Sequence, residues 1–164
     1  MIDSGERATR TDADAPAPDA ARAFAADELS PAGLIRLQTC PHCGKAQYPP
    51  RAACRHCLAD DIVWREHPNG GRLLAETTLH HSNQPYFRER TPWRIGIVQL
   101  DAGPSVIAHV HCACPPAPAA VVVETVLDHE DRAALFALPP GALDDWPEDR
   151  RLTEFAERRR RGHR

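Results

Sequence analysis

The sequence predicts a mainly β fold with a short helical segment near each end. Two Cys-x-x-C pairs stand close together within residues 40–57, a spacing typical of a small metal-binding unit. Short alternating or β-branched runs, separated by Gly, Pro and Asn clusters, follow between residues 70 and 138. The chain has 164 residues and only 5 % aromatic residues, so we expect a modest core.

The N-terminal region divides into a tail and a helical segment. Residues 1–19 are rich in Asp, Ala, Pro and Thr and lack apolar periodicity, which predicts a disordered tail. Good helix formers occupy residues 19–29, and Ser30-Pro31 ends the predicted helix. Residues 34–37 then alternate like a strand. We therefore treat residues 20–37 as a helical segment with a lead-in strand.

The motif CPHCGKAQYPPRAACRHC at residues 40–57 predicts a structural zinc ribbon over residues 38–66. Two Cys-x-x-C turns can direct four thiolates at one Zn²⁺ ion, and four protein ligands leave no open position for water. Two disulfides or a redox dithiol are the alternatives, but disulfides are typical of secreted chains and a redox motif normally occurs once. The predicted ligands are Cys40, Cys43, Cys54 and Cys57.

Residues 67–140 predict an OB-type β-barrel, with a small sandwich as the alternative. One further strand, at residues 61–66, leaves the ribbon before the barrel begins. The candidate barrel strands lie at residues 72–80, 95–100, 105–111, 121–128 and 135–138.

Residues 141–164 predict a C-terminal helical extension. Pro147 stands near the first helical position, acidic residues occupy the first turn and arginines the last, as the helix dipole favours. A narrow apolar strip of Leu152, Phe155 and Ala156 would lie against the barrel or a partner subunit. Acids in the same segment balance the arginine run at 158–161, which favours a solvated helix end over a nucleic-acid patch.

Composition and motifs narrow the function classes. The net charge of −3 and the sparse aromatic residues argue against nucleic-acid binding. No apolar run approaches the roughly 20 residues of a membrane span, and the N-terminus has no apolar signal region, so we expect a cytoplasmic protein without a membrane partner. Phosphate-binding loops and nucleophile elbows are missing from the sequence. Cys112 or Cys114, with His109 or His111 nearby, gives a weak candidate thiol site.

The loop at residues 80–94 is the principal candidate for a binding surface, because it is long and mixes aromatic and cationic residues. The alternative is that its aromatic residues cover the open mouth of the barrel. The turn at residues 48–51 is a second candidate, with the alternative that it fixes the ribbon on the barrel. The predicted contact residues are Tyr48, Arg51, Tyr86, Phe87, Arg88, Arg90, Trp93 and Arg94.

The order of these motifs resembles a known family. The cysteine motif, the LIRL run at residues 34–37, the GGRLL run at 70–74 and the IGIVQLDAG run at 95–103 are similar to those of acyl-CoA-associated OB-fold proteins with a rubredoxin-like zinc ribbon. Members are small partner subunits of thiolase-superfamily enzymes. The resemblance covers about residues 24–138, while residues 115–120 and 139–164 depart from the usual pattern.

The resemblance implies a non-catalytic zinc-binding subunit of a heteromeric thiolase-type acyl-CoA acyltransferase complex. Such a subunit would stabilise its partner and shape the acyl-CoA or CoA site, where Arg51, Arg88, Arg90 and Arg94 would be candidate contacts to phosphate. A benzoylsuccinyl-CoA-type thiolase is one candidate partner. The alternatives are a nucleic-acid-binding module and, less favoured, a free-standing thiol enzyme. No acyl-CoA turnover is expected from the chain alone.

Overall fold

The computed structural model describes residues 30, 33–83, 85–127 and 133–142, which form a small sheet and a barrel. The sheet has the order β2-β1-β3, and the closed five-stranded barrel has the order β4-β5-β6-β8-β7. In chain order the elements are β1 (Leu34–Thr39), β2 (Ala46–Gln47), β3 (Val63–Pro68), β4 (Gly70–Leu79), α1 (Pro85–Arg88), β5 (Trp93–Leu100), β6 (Ser105–Val110), β7 (Ala119–Leu127) and β8 (Ala133–Leu138).

The barrel has the strand connections of an OB fold. Antiparallel pairs join β4 to β5 and β5 to β6, and a parallel pair joins β6 to β8. Antiparallel pairing of β8 with β7, and of β7 with β4, completes the circle. The domain is therefore a closed barrel and not the small sandwich that the sequence left open.

Strand β4 has an irregularity where it pairs with β5. The register between β4 and β5 shifts between Leu73 and Ala75, and a bulge of this kind bends a strand and increases its twist. Gly96 of β5 lies opposite the bend. A Cβ atom at Gly96 would lie 2.5 Å from Leu73 Cδ1 and 2.9 Å from the Ala75 carbonyl oxygen. The missing side chain at Gly96 therefore lets the two strands approach.

One apolar core joins the small sheet to the barrel. Ile35 and Leu37 of β1 alternate with less buried residues and are themselves fully buried. They pack in the same cluster as Leu73, Val98 and Val123 of the barrel. Burial of each such side chain contributes about 1.5–3 kcal/mol. The ribbon strand is therefore part of the barrel core.

A buried hydrogen-bond network at the junction of β3 and β4 adds a polar link. The Asn69 side-chain amide donates to Glu124 Oε1 at 2.7 Å, and both residues are almost fully buried. The Asn69 carbonyl accepts from the Val123 N–H at 2.8 Å, while the Asn69 N–H donates to the Gly33 carbonyl at 3.2 Å. Because unpaired buried polar groups are costly, these bonds fix the junction between sheet and barrel.

The predicted fold class is wrong in its helical parts. Within the described ranges the single helix is the four-residue α1, which lies in a segment predicted as a loop, and no helix there could cross a bilayer. The expected N-terminal helix and C-terminal helical extension lie outside the described residues, as does the predicted tail. Those predictions relied on helix formers at residues 19–29 and on a narrow apolar strip at residues 152–156, whereas short helices depend on packing a broad apolar face. The corrected class is mainly β, with a zinc ribbon and a closed barrel.

Replacing Gly96 by Ala should lower the free energy of unfolding by about 1–3 kcal/mol, because the new methyl group would overlap a buried side chain and a backbone oxygen. Urea unfolding of the zinc-loaded protein, followed by tryptophan fluorescence, measures the effect. Ile107→Ala, at an exposed position on the neighbouring strand, is the control and should change stability by less than about 0.5 kcal/mol. Equal stability of Gly96→Ala and the unaltered protein would contradict the close approach.

Candidate metal centre and binding surfaces

Two turns with the same backbone pattern present the cysteine pairs. The Gly44 N–H donates to the Cys40 carbonyl at 2.8 Å, and the Leu58 N–H donates to the Cys54 carbonyl at 2.9 Å. Both closing residues have positive φ, 72° at Gly44 and 62° at Leu58. Glycine adopts this conformation without strain, whereas leucine rarely does. The Cys-x-x-C spacing predicted both turns, but sequence reasoning missed the positive φ of Leu58.

The four thiols converge on one point. The Sγ–Sγ distance is 3.5 Å between Cys40 and Cys57 and 3.6 Å between Cys43 and Cys54. All four sulfur atoms lie within 4.8 Å of one another. A tetrahedron with Zn–S bonds of about 2.3 Å has sulfur separations of about 3.8 Å, so the arrangement fits Zn²⁺ closely. The prediction of a structural zinc site with four cysteine ligands is confirmed.

Electrostatics at this centre favour metal binding over four free thiols. The N–H groups of Cys57 and His56 lower the pKa of the Cys54 thiol to about 6. The N–H of Ala59 favours the Cys57 thiolate, but hydrogen bonding with the Cys40 sulfur and its neighbours outweighs this effect and raises the pKa of Cys57 to about 12. Crowded sulfurs thus resist complete ionisation without a cation. Zn²⁺ removes that repulsion, so its binding is coupled to proton release.

A pair of glutamines organises the segment between the cysteine pairs. The buried Gln47 amide donates to Gln38 Oε1 at 3.0 Å, and its oxygen accepts from the Arg55 N–H at 3.0 Å. Gln38 Oε1 also accepts from the Arg51 N–H at 2.7 Å. Sequence reasoning missed both glutamines, since their roles depend on strand register and not on a motif. Their bonds hold the backbone of the turn in place.

Tyr48 and Arg51, two predicted contact residues, lie on this turn in different settings. Tyr48 is half-buried and packs against the shared core, and burial raises the pKa of its phenol. The Arg51 side chain is exposed. The structure therefore supports the interpretation that Tyr48 helps fix the ribbon on the barrel, while Arg51 is available for a contact.

The loop at residues 80–94 closes on an aromatic cluster outside the barrel core. The rings of Phe87 and Trp93 meet edge to face at 5.4 Å, and each contacts the His109 ring, at 5.7 and 5.3 Å. His109 in turn packs on Phe136 at 4.8 Å. Trp93 and Phe136 are buried. Two predicted contact residues, Phe87 and Trp93, thus serve mainly to anchor the loop.

His109 occupies the centre of this cluster as a neutral acceptor. The Trp93 indole N–H donates to His109 Nδ1 at 2.5 Å. Burial lowers the pKa of His109 to about 4, since the apolar surroundings disfavour the imidazolium. Sequence reasoning noted His109 only beside the cysteines. In β6, His109 alternates with buried, inward-facing residues. This alternation in the sequence could have predicted that His109 lies on the outer face of the barrel.

Arg94 is fully engaged within the protein. Its guanidinium forms an ion pair with Glu76, and Nη1 donates to the carbonyl oxygens of His111 and Cys114 at 3.0 and 3.2 Å. Glu76 also accepts a hydrogen bond from the Ala117 N–H at 3.4 Å. These bonds attach the connection between β6 and β7 to the barrel. The structure places Arg94 in a supporting role, although the sequence grouped it with the phosphate contacts.

The other cations of the loop differ in exposure. Arg88 ends α1 with an exposed side chain. Arg90 is partly buried and has Glu89 at 3.9 Å. Tyr86 lies within α1, and its side chain is outside the described part of the structure. Of the loop arginines, Arg88 is the one whose exposed charge points to an external contact.

The two remaining thiols lie in different environments. Cys114 is buried and contacts the Ala137 carbonyl at 3.3 Å, and burial raises the pKa of its thiol to about 11. Cys112 is exposed, with Sγ 4.0 Å from His111 Nδ1. That nitrogen already accepts the Ala113 N–H at 3.1 Å, and His111 is fully buried. The arrangement holds a turn and gives little support to a nucleophilic thiol.

Cys40→Ser should abolish zinc binding and unfold the protein, because zinc bound by four thiolates supplies on the order of 10 kcal/mol of folding free energy. Zinc content and circular dichroism measure the two effects. Cys112→Ser changes an exposed thiol outside the tetrad and should leave both unchanged. A Cys40→Ser protein that lost zinc but stayed folded would show that the metal does not hold the fold.

Acidification should destabilise the aromatic cluster. The native pKa of His109, about 4, lies below its ordinary value of 6.5, so the unfolded chain takes up the proton first. The neutral ring's contribution is present above pH 6.5 and is lost as the pH falls towards 4. The full effect is on the order of 3 kcal/mol.

Measuring the free energy of unfolding of the unaltered protein and of two variants across this pH range isolates the contribution of His109. His109→Gln should lose less unfolding free energy on acidification than the unaltered protein. The control His80→Gln, at an exposed position, should follow the unaltered protein. Parallel stability curves for His109→Gln and the unaltered protein would refute the assignment. Acid-driven zinc loss affects all three equally.

Comparison with known proteins assigns both units. Residues 33–63 match the family model of the ChsH2 rubredoxin-like zinc ribbon domain, and residues 64–126 match that of the ChsH2 C-terminal OB-fold domain. Together the matches span more than half of the chain. A solved structure described as "Ltp2-ChsH2(DUF35) aldolase" contains a chain with a similar fold, at a TM-score of 0.55 and 21 % sequence identity. The likeness covers 64 % of this chain and 84 % of that one. This chain belongs to the ChsH2-type family of zinc-ribbon and OB-fold proteins.

Proposed function

We propose that the chain is a non-catalytic, zinc-binding partner subunit of a cytoplasmic, heteromeric thiolase-type acyl-CoA acyltransferase complex. It stabilises the larger subunit and shapes that subunit's acyl-CoA or CoA site. The observation that carries the proposal is the family assignment, in which the ribbon and the barrel both match ChsH2 domains in the same order. The fold likeness to a chain of a structure named for both Ltp2 and ChsH2 supports it. A reduced compartment suits the four thiolates.

The chemistry of the described residues supports a role without catalysis. The buried Cys114 thiol has a raised pKa, and the exposed Cys112 has near it a histidine nitrogen that already accepts another hydrogen bond. A catalytic thiolate needs a free base and a lowered pKa. The zinc site has its full set of four protein ligands. In this proposal the partner supplies the reacting groups.

The outer face of β4, β5 and β6 is the surface that we assign to the partner. Ile97 and Ile107 are directly paired across β5 and β6 and are 46 % and 66 % exposed. Ala75 extends this row onto β4, and Thr77 pairs with Ile95 in the next row. None of these five described residues is charged. The centre of a protein interface is similarly poor in charge, so this face suits a large, apolar partner surface.

The same face argues against the alternative of nucleic-acid binding. Many OB folds bind oligonucleotides on this part of the barrel, through cations and exposed aromatic rings. Here the centre of the face carries Ile97 and Ile107, while Trp93 is buried in the aromatic cluster. The net charge of −3 adds no general attraction for phosphate backbones. A protein partner fits these side chains better.

The contacts to acyl-CoA or CoA are part of the proposal. The predicted contact residues on the 48–51 turn and the 80–94 loop lie partly at the surface. Arg51 and Arg88 have exposed side chains and are its strongest candidates for phosphate. Arg94 would act indirectly, by holding the connection after β6.

Purification of the tagged protein from its native host tests the proposed function. We expect a thiolase-superfamily protein to co-purify in stoichiometric amount and the isolated zinc-loaded chain to show no acyl-CoA turnover. Ile107→Asp should reduce the co-purified partner at least tenfold, because a charge would be buried against an apolar surface. Val63→Asp is the control. It places a charge on an apolar, partly exposed residue of the small sheet and should leave the amount of co-purified partner unchanged.

Two results would contradict this function. Robust turnover by the isolated chain would show that it carries its own active site. Recovery of the chain without any thiolase-type protein, with salt-dependent binding to single-stranded oligonucleotides, would favour the nucleic-acid alternative. Circular dichroism of both variants establishes that they are folded, so loss of the partner cannot be attributed to unfolding.

A further inference from the structure

A cleft of about 400 Å³ lies between the zinc ribbon and the barrel, and none of its lining residues belongs to the 80–94 loop. Residues 44–46 of the first cysteine turn form one wall, and Arg55 and His56 of the second turn adjoin it. Residues 102–104, in the turn between β5 and β6, form the opposite wall. The cleft is therefore assembled from three segments that are distant in sequence. Its volume lies at the small end of the range for ligand pockets, about 300–1,000 Å³.

The charged side chains that line this cleft are cationic. Lys45 and Arg55 line it from the two cysteine turns, and no described residue of its lining is acidic. Among the described residues, neither Lys45 nor Arg55 forms an ion pair. The whole chain carries a net charge of −3, so two cationic side chains without an ion pair are a local concentration of positive charge, next to the negative zinc tetrathiolate. Such side chains attract anions.

The opposite wall is fixed before any ligand arrives. The Gly103 N–H donates to the Leu100 carbonyl at 2.9 Å, and the Leu100 N–H donates to the Pro104 carbonyl at 3.0 Å. Gly103 has a φ of 114°, a conformation that favours glycine. On the ribbon side the Arg55 backbone is held by the buried Gln47. A ligand would therefore meet a largely preformed cleft and need to order few groups besides the two cationic side chains.

The side chains define the class of ligand. An arginine presents a planar set of N–H donors that matches two phosphate oxygens, and a lysine adds a mobile point charge. The described lining contains no Phe, Tyr or Trp on which a base could stack. Apolar contacts are limited to small residues such as Ala46 and Ala102. These features suit the phosphate end of a small molecule better than an extended peptide or a nucleic acid.

We propose that this cleft binds the phosphate groups of a small phosphorylated ligand, through Lys45 and Arg55. The inference goes beyond the proposed function and does not depend on it, since it concerns a separate surface of the chain. A competing role for the two cations is to offset the negative charge of the zinc tetrathiolate. The two roles differ in what the loss of both side-chain charges does to the metal.

Calorimetric titration of the full, zinc-loaded chain with ADP, with adenosine as the uncharged control, tests the site. ADP should bind saturably and adenosine should not. The double variant Lys45→Gln/Arg55→Gln should weaken ADP binding at least tenfold while keeping its zinc. Arg65→Gln removes an exposed arginine from β3, outside the cleft lining, and should leave ADP binding within about twofold of the unaltered protein.

The remaining outcomes each overturn the inference. Absence of saturable ADP binding, or equal weakening by Arg65→Gln, would show that the cleft has no specific site for phosphate. Loss of zinc from the double variant would assign the cations to the metal centre. A phosphoserine peptide that bound more tightly than ADP would exclude the small-molecule class. Co-purification of a thiolase-type partner is measured separately, so failure here leaves the proposed function intact.

Discussion

The burial of Ile35 and Leu37 in the barrel core is the interaction on which the other features depend. The strand that carries them ends one residue before Cys40, so the first zinc ligand is positioned by a strand that the barrel holds. Zinc then fixes the second cysteine turn relative to the first. Because one strand serves both units, stabilisation by the metal extends to the barrel, and the cleft between them keeps a defined shape.

The chain compensates in two ways for having few aromatic residues. Its core consists mainly of aliphatic side chains, and polar bonds secure the connections around it, from Glu124 to Asn69 and from Glu76 to Arg94. Three of its aromatic residues gather with a histidine outside the barrel core. That cluster holds a long loop at a fixed position. The exposed residues of the loop are thus displayed without the entropy cost of a mobile segment.

Local chemistry was predictable from the sequence, and long-range pairing was not. Cysteine spacing identified the zinc site because ligand geometry is set within each turn. Alternation of apolar residues located most strands. The parallel pairing of β6 with β8, by contrast, depends on the whole barrel. The internal contacts of Arg94 were unpredictable for a similar reason, since its partners, Glu76 and the carbonyls after β6, lie far along the chain. The helix predictions rested on too few apolar residues to distinguish a packed helix from irregular structure.

Closure of the barrel has a consequence for how complexes assemble. Where β4 meets β7 at residues 70–73, and where β6 meets β8 at residues 109–110, these strands are paired on both sides, so a partner cannot add a strand there. In the small sheet, the outer strand β3 carries Arg65 and Glu66 and ends at Pro68, features that discourage strand addition. At these closed positions, recognition depends on side chains on the strand faces. Substitutions there can change the choice of partner while the backbone hydrogen bonds of the fold remain intact.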